Sequence, residues 1–230
     1  FTANSGELVG IMGGSGAGKS TLLNVLNGNY SPTSGSVRIN DTDLHGAGRR
    51  TEGLLGYIPQ DDLLIEDLTV FQNLYYNTKL CHGRLDEVGV TAKVESLLDD
   101  LGLSATRDLK VGSPLNQTIS GGQRKRLNIG LELVREAPIL FVDEPTSGLS
   151  SGDSENVMDL LKQITLGGKL IFVVIHQPSS DIFKLFDKLL LLDTGGFPIY
   201  YGNPSDALLY FRRLTGQVDA EESECHTCGN

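Results

Sequence analysis

The sequence is poor in cysteine and has no long hydrophobic run. It contains three cysteines, Cys81, Cys225 and Cys228, which are too few for a disulfide framework and favour a reducing compartment. Its longest uninterrupted apolar run, residues 170–175, has six members, whereas a helix needs about 20 apolar residues to cross a bilayer. We therefore expect no transmembrane helix in this sequence.

Basic residues are also in the minority, with 19 Lys and Arg against 29 Asp and Glu and a formal net charge of -10. Nonspecific nucleic-acid binding needs a basic surface, and anionic lipids attract basic segments, so the charge argues against both partners. Hydrophobic residues make up 39% and charged residues 21%, as in a folded domain. A start methionine and a secretory signal are lacking, so we expect the chain to be a piece of a longer protein.

Short apolar runs alternate with helical patterns along most of the chain. The runs that predict strands are residues 7–12, 139–142, 170–175 and 188–192, with shorter candidates at 36–40 and 56–58. The helical patterns outside the middle third are residues 19–26, 151–165, 179–186 and 205–214. This alternation predicts an α/β fold with a mostly parallel sheet, and the polar alternation of residues 36–40 predicts an antiparallel edge.

The middle third of the chain is predominantly helical in pattern. Thr69 and Gln72 have capping-box spacing, which predicts a helix that ends near Leu80. Two more helices are predicted at residues 91–101 and 121–135. We interpret residues 63–135 as a helical subdomain inserted into one domain of residues 1–230, with a C-terminal tail at 216–230.

A glycine-rich loop follows the first predicted strand and fits the pattern G-x-x-x-x-G-K-S/T. Its members are Gly13, Gly14, Ser15, Gly16, Ala17, Gly18, Lys19 and Ser20, and Thr21 comes next. Glycines let backbone N–H groups close around phosphate oxygens, and the N-terminus of the following helix favours negative charge. In this motif the lysine reaches the β- and γ-phosphates and the neighbouring hydroxyl binds Mg²⁺. The loop predicts nucleotide binding but does not distinguish a kinase from a GTPase or an ATPase.

Two acidic residues end a later buried strand. The apolar residues 139–142 lead directly into Asp143 and Glu144. The carboxyl ends of parallel strands form the edge of an α/β sheet where ligands bind. We interpret Asp143 as a ligand of Mg²⁺, direct or through water, and Glu144 as the general base for the attacking water.

A second possible anion site begins the third helix of the insertion. It consists of Ser120, Gly121, Gly122 and Gln123, and a serine followed by glycines at a helix start can bind an anion. One small domain has no obvious need of two γ-phosphate sites. A head-to-tail dimer does, because each ATP can then lie between the phosphate loop of one chain and this motif of the other. Taken alone, the motif also fits an ordinary helix cap.

Three basic residues, Arg124, Lys125 and Arg126, follow this motif. They predict a solvent-exposed helix face, with contact to the nucleotide of an opposing chain as the alternative.

Taken in order, these motifs resemble the nucleotide-binding domain of ABC transporters over nearly all 230 residues. Residues 57–62 resemble the Q-loop, residues 120–123 the signature motif, and residues 143–149 Walker B and the D-loop. His176 resembles the switch histidine, although a histidine at a strand end also fits a purely structural role. Residues 60–62, 124–126 and 176–180 are most similar to the G subfamily of pigment, sterol and multidrug half-transporters, in which the ATPase domain precedes a membrane domain.

The resemblance implies a RecA-like P-loop core that binds ATP and Mg²⁺ and powers transport. It implies that Gln60 completes the Mg²⁺ ligands and senses the γ-phosphate, and that His176 contacts this phosphate and holds the attacking water in line. It further implies two partners, namely a second ATPase domain that dimerises in ATP and a transmembrane permease domain, fused or separate. The chain would then lie at the cytoplasmic face of a membrane.

The sequence departs from the family pattern in the D-loop and upstream of Gly13. Ser150 stands where the family usually has Asp, so a hydroxyl replaces a charge. The family's adenine-stacking aromatic normally lies further upstream than Phe1, so we expect it to be missing here. In the tail, Cys225 and Cys228 have metal-ligand spacing but supply half of a tetrahedral zinc site; a plain tail and a redox pair are the alternatives.

Two other functions fit the same motifs. The first is an ABC ATPase outside transport, of the chromosome-maintenance, repair or translation-factor kind. Chromosome-maintenance and repair proteins carry coiled-coil or zinc insertions before the signature, and no heptad run lies between Gly13 and Ser120. Translation factors usually carry two such domains, whereas this sequence contains one. The second is a nucleotide-gated regulatory module without turnover, which the presence of Glu144 and His176 disfavours.

Overall fold

The centre of the structure is a six-stranded sheet. It is seen in a computed structural model that describes residues 1–46, 53–113 and 116–214. From one edge to the other, the strands are β10 (Pro198–Gly202), β9 (Lys188–Leu192), β1 (Leu8–Gly13), β8 (Leu170–Val174), β7 (Ile139–Asp143) and β4 (Leu55–Ile58). All neighbours are parallel except β10, which runs antiparallel to β9. The predicted α/β fold is confirmed.

Both faces of the sheet are buried, which is why its central strands are apolar throughout. In β7, Leu140 and Val142 belong to one hydrophobic cluster, whereas Phe141 belongs to a second. Leu23 of α1 (Lys19–Leu26) packs into the second cluster. The first cluster includes residues of α5 (Ser151–Leu166), α6 (Ser180–Leu185) and α7 (Pro204–Leu214).

The three helices predicted for the middle of the chain are present and share the first cluster. They are α2 (Val70–Cys81), α3 (Glu87–Asp100) and α4 (Gly121–Leu133), and a short 3-10 helix (Ser104–Thr106) follows α3. Leu74, Val94 and Leu127 are fully buried and bring one residue of each helix into this cluster. Helix α2 begins with the predicted capping box, in which the Gln72 amide donates to Thr69 Oγ1 at 3.1 Å and the Thr69 amide donates to Gln72 Oε1 at 3.0 Å.

Some element boundaries differ from the prediction. Helix α3 begins at Glu87 rather than Thr91, because the Asp86 carboxylate accepts the Gly89 amide at 2.8 Å and caps the helix earlier. The predicted strand at residues 36–40 is shorter in the structure, where only Arg38 and Ile39 form a strand. The short antiparallel pairs are β2 (Arg38–Ile39) with β3 (Thr42–Asp43), and β5 (Gly112–Ser113) with β6 (Asn116–Gln117). The edge strand β10 has no signal in the hydropathy pattern.

The chain ends differ in what the structure describes. The Phe1 ring centroid lies 5.2 Å from that of Tyr201 and 6.5 Å from that of Phe172, in an aromatic cluster on one face of the sheet. The predicted tail with Cys225 and Cys228 falls outside the described residues. Across 1–46, 53–113 and 116–214, no helix combines the length and the hydropathy needed to cross a membrane.

A buried carboxylate lies between α4 and β4. A Cβ built on Gly56 of β4 would come within 2.8 Å of Glu132 Oε1, and this oxygen has no hydrogen-bond donor. Burial raises the pKa of Glu132, while the charge of Arg135 and a backbone hydrogen bond from Tyr57 oppose the shift. The folded state therefore binds a proton more tightly here than the unfolded state does, and its stability falls as the pH rises through the raised pKa.

We predict that Glu132→Gln raises the free energy of unfolding at pH 7 by about 1 kcal/mol, because the amide has no charge to desolvate. The gain should shrink as the pH falls towards 4.5, the ordinary value of a glutamate pKa, because the raised pKa then makes the parent carboxyl increasingly neutral in the folded state. Urea unfolding at both pH values measures this, with the exposed Glu66→Gln as control. A gain of equal size at both pH values would contradict the role of the charge.

Candidate functional site

Four neighbouring strands carry the predicted site residues at their carboxyl ends. Strand β1 ends at Gly13, β7 ends at Asp143, and β8 and β4 lead into His176 and Gln60. Val174 at the end of β8 pairs with β1 on one side and lies opposite Asp143 on the other. The ends of these four strands therefore lie within about three residues of one another, and the fold brings the site residues to one edge of the sheet.

The phosphate loop leads into α1 and holds its lysine inside the protein. Gly16 and Gly18 have φ angles of 76° and 90°, a region in which a side chain is strained. Lys19 is 6% exposed, and its Nζ donates to the carbonyl oxygens of Gly13 and Gly14 at 3.0 and 2.9 Å. The ammonium group is thus fixed against the start of the loop.

The loop fits the phosphates of a nucleotide. A Cβ built on Gly14 or Gly16 would meet no atom within 4 Å, so open space lies beside the backbone there. Ser15, Ser20 and Thr21 are exposed along the same segment. A lysine ammonium and a glycine loop at a helix N-terminus together suit a polyanion.

Glu144 and His176 form a pair across adjacent strands. His176 Nε2 lies 3.3 Å from Glu144 Oε1, and the two side chains are 44% and 24% exposed. Glu144 has a φ of 45°, and its amide donates to the Val174 carbonyl at 3.0 Å. A non-glycine residue in this region costs about 1–3 kcal/mol and persists where its surroundings hold it, often at functional sites. Because both side chains are partly exposed, water can reach the Glu144 carboxylate.

Asp143 adds a second carboxylate next to Glu144. Burial raises the pKa of Asp143 and the charge of Glu144 raises it further, against the Tyr57 hydroxyl, which donates to Asp143 Oδ2 at 3.4 Å. Adjacent carboxylates in a half-buried site are stabilised by a cation. With the Ser20 hydroxyl and the Gln60 amide oxygen, Asp143 supplies the oxygen ligands that Mg²⁺ prefers.

The start of α4 holds the Q-loop in place. Lys125 Nζ donates to the Gln60 carbonyl at 2.7 Å, Arg124 Nε donates to Asp62 Oδ2 at 3.0 Å, and the Leu63 amide donates to Asn128 Oδ1 at 3.1 Å. The side chain of Gln60 is directed to the D-loop, where its Nε2 lies 3.4 Å from Ser147 Oγ.

These contacts correct the prediction that residues 124–126 form a solvent-exposed face. Arg124 and Lys125 are each 5% exposed. The Q-loop supplies an acceptor to each of them, and the carbonyl oxygens of residues 111 and 112 supply further acceptors to Arg124. The sequence reasoning also missed Asn128. For Arg124 and Lys125, the sequence does hold one signal, because the two carboxylates of Asp61 and Asp62 beside Gln60 favour nearby positive charge.

The signature motif caps α4. The Gln123 amide donates to Ser120 Oγ at 3.2 Å, and the Ser120 amide donates to Gln123 Oε1 at 2.8 Å. Ser120 is exposed, and among the described residues no hydrogen bond links it to the phosphate loop of its own chain. The ordinary capping role is thus present, and the binding role of Ser120 stays a prediction.

The D-loop serine also caps a helix. Ser150 Oγ accepts the Asp153 amide at 3.2 Å and donates to Asp153 Oδ2 at 2.9 Å, at the start of α5. The Asp153 carboxylate in turn lies against the signature motif, because a Cβ on Gly122 would come within 2.3 Å of Asp153 Oδ1. A Cβ on Gly121 would also come within 3.1 Å of Leu149 Cδ2 in the D-loop, so the two motifs are in contact within one chain.

Comparison with known proteins gives the family. A family model described as ABC transporter matches residues 1–147, more than half of the chain. The chain belongs to the ABC transporter family. A second model, described as ABC-2 type transporter, matches residues 176–222. The described part of that segment contains α6, β9, β10 and α7, which belong to the sheet domain.

Similar proteins include transporters of the G type. ABC-type transporter claG of Penicillium crustosum is 42% identical over 210 residues, which are 90% of this chain and 28% of that protein. ABC transporter G family member 14 of Arabidopsis thaliana is 39% identical over 211 residues, 91% of this chain and 32% of that protein. ABC transporter G family member STR2 of Petunia hybrida is 37% identical over 222 residues, 96% of this chain and 30% of that protein. The predicted similarity to the G subfamily is confirmed, and the chain spans roughly a third of the length of these relatives.

The contact between Gly122 and Asp153 gives a stability prediction for this ABC domain. Gly122→Ala should lower the free energy of unfolding by about 1–3 kcal/mol, because the methyl group displaces the carboxylate that pairs with Ser150. Gly152→Ala is the matched control, since Gly152 is also the second residue of a helix and a Cβ there meets no atom within 4 Å. Equal stability of the two variants in urea would contradict the contact.

Proposed function

We propose that this chain binds and hydrolyses ATP to power transport across a membrane. The observation that supports it best is the row of Lys19, His176, Glu144 and Gln60 along neighbouring strand ends, with Glu144 Oε1 and His176 Nε2 3.3 Å apart. Family membership supports the same function, and the similarity to G-type transporters supports transport rather than the repair or translation alternatives.

The residues at these strand ends have different roles in binding ATP and Mg²⁺. Lys19 binds β- and γ-phosphate oxygens, and the other residues 13–21 bind the phosphates through the loop. Ser20, Gln60 and Asp143 hold Mg²⁺, which supplies positive charge to the phosphate oxygens when bound. The carbonyl oxygens of Gly13 and Gly14 hold the Lys19 ammonium group in place, so it needs little reorganisation to bind a phosphate.

Hydrolysis needs one proton acceptor. A water oxygen attacks the γ-phosphorus, its proton passes to the Glu144 carboxylate, and ADP leaves as the bond to the bridging oxygen breaks. His176 restrains this carboxylate, contacts the γ-phosphate and holds the water in line. The exposure of both side chains leaves room for the water to enter.

The exposed signature motif serves a second chain. Ser120 and residues 121–123 bind the ATP held by the phosphate loop of a second ATPase domain, so that ATP closes a head-to-tail dimer. A transmembrane permease domain, fused or separate, uses this closing and opening, and it places the ATPase domain at the cytoplasmic face of the membrane.

We predict that Lys19→Ala abolishes ATP binding and leaves the melting temperature nearly unchanged. The side chain is the cation of the phosphate loop, and the carbonyl oxygens of Gly13 and Gly14 that it leaves can be solvated. Calorimetry measures the ATP dissociation constant, with Lys79→Ala on the surface of α2 as control. Unchanged ATP binding by Lys19→Ala would refute the proposed nucleotide site.

We predict that Glu144→Gln lowers the rate of ATP hydrolysis by about 10²–10⁴-fold, the usual contribution of a general base. ATP binding should persist, because the amide keeps the shape of the side chain. Glu136→Gln is the matched control, since Glu136 is also a glutamate with positive φ, 59°, but lies outside the site. Hydrolysis at the parent rate by Glu144→Gln would contradict the role of the base.

The same variant tests the dimer. With hydrolysis blocked, Glu144→Gln should be a dimer in ATP and a monomer in ADP by sedimentation at high protein concentration, since a membrane domain normally raises the local concentration. Adding Ser120→Arg should abolish the dimer while each chain still binds ATP. A Glu144→Gln chain that stays monomeric in saturating ATP would contradict the composite site.

A further inference from the structure

Helix α4 contacts the Q-loop at two residues and the residue that follows it at a third point. Two of the contacts come from cations with 5% exposure, Lys125 to the Gln60 carbonyl and Arg124 to the Asp62 carboxylate. The third is the Leu63 amide on Asn128. The donors and acceptors of α4 are adjacent or one turn apart, so one face of the helix holds the whole segment.

Arg124 also holds the segment before the signature motif. Its Nη1 donates to the carbonyl oxygens of Gly112 and Val111 at 2.6 and 3.3 Å. Arg124 thus joins three parts of the chain: the Q-loop, residues 111–112 and α4.

Buried cations are costly unless they are well paired. Burial lowers the pKa of Lys125, and Asp62, Asp61 and Asp143 oppose this shift. The acceptors of Lys125 and Arg124 would be left without these donors if the Q-loop moved away from α4. Separating the two segments is therefore more costly than moving them together.

We infer that Lys125 and Arg124 are positioning residues that fix the Q-loop to the signature helix, so that Gln60 and Ser120 move as one body. This inference rests on the proposed function for its consequence. Gln60 serves the ATP of its own chain, whereas Ser120 serves the ATP of the partner. A shift of Gln60 at one site therefore displaces Ser120 at the other, which couples the two ATP sites of a dimer.

The same helix supplies a matched control. Arg126 is next in sequence and carries the same charge, but its Nη1 donates to the Leu101 carbonyl at 3.0 Å, at the end of α3. Removing its charge leaves the Q-loop contacts in place.

The first test uses amide hydrogen exchange across residues 60–64 of the 230-residue chain without nucleotide. Lys125→Met should speed exchange there by about tenfold or more, because the segment opens from α4 more often. Asp62→Asn removes the negative charge from the partly exposed acceptor of Arg124 and so weakens this hydrogen bond. It should speed exchange in the same way, and it replaces Lys125→Met as the test if that variant does not fold. Arg126→Met should leave this exchange unchanged. Parent-like exchange in Asp62→Asn and in a folded Lys125→Met would overturn the fixation of the Q-loop.

The second test measures the ATP dependence of hydrolysis. The parent dimer should show a Hill coefficient approaching 2, the number of coupled sites. In Lys125→Met or Asp62→Asn it should fall towards 1, while the ATP dissociation constant of the monomer changes by less than about twofold. Arg126→Met should keep the parent value. A cooperative parent whose variants exchange faster but stay equally cooperative would overturn the joint movement of Gln60 and Ser120.

The two tests separate this inference from the proposed function. If the parent neither dimerises nor hydrolyses ATP, the proposed function fails, and with it the coupling between sites. The exchange measurement still decides whether the two side chains fix the Q-loop, because it needs neither nucleotide nor dimer.

Discussion

The position of β8 between β1 and β7 is the constraint on which the site depends. Because β8 pairs with both neighbours in parallel, the phosphate loop that follows β1 and the carboxylates that follow β7 flank the end of β8. His176, just beyond β8, then lies within 3.3 Å of Glu144. Both Glu144 and Gln177 leave their strands with positive φ, 45° and 43°, so the chain turns sharply where the functional side chains must be presented. Strand pairing thus brings the candidate site residues together, and the backbone turns with positive φ orient them.

The amino end of α4 joins the remaining motifs. Ser120 and Gln123 form the capping box of the helix, and Lys125 donates to the Gln60 carbonyl in the Q-loop. Gly122 lies against Asp153 in the first turn of α5. A cleft of about 370 Å³ lies among these parts and is lined by residues of the Q-loop, the D-loop and α4. Residues that we propose to serve different phosphates are therefore held by a single helix end. The signature helix thus contributes to the candidate site of its own chain and to the proposed site of a partner.

The sequence predicts the elements of this fold better than their polar contacts. Buried strands such as residues 170–175 and the capping box at Thr69 have local signals, and both are present in the structure. The burial of Arg124 and Lys125 has no local signal, because their acceptors in the Q-loop lie 62 and 65 residues earlier in the chain and charged side chains are ordinarily exposed. Strand β10 is missed for a similar reason, since its pairing with β9 rather than its own pattern makes it a strand. Of the site, the strand-end residues could be predicted, whereas the side chains that hold them depend on long-range packing.

Ser150 in the D-loop replaces the usual Asp of the family, and its hydrogen bonds show what the replacement changes. Ser150 has no charge, but its hydroxyl donates to the Asp153 carboxylate at 2.9 Å and accepts the amide of the same residue. That carboxylate lies against Gly122 of the signature motif, too close for a side chain at that position. A negative charge is thus present at the junction of the D-loop and the signature, although it comes from one helical turn further along. Ser150 therefore still contacts a carboxylate here, and the helix cap fixes that carboxylate in place.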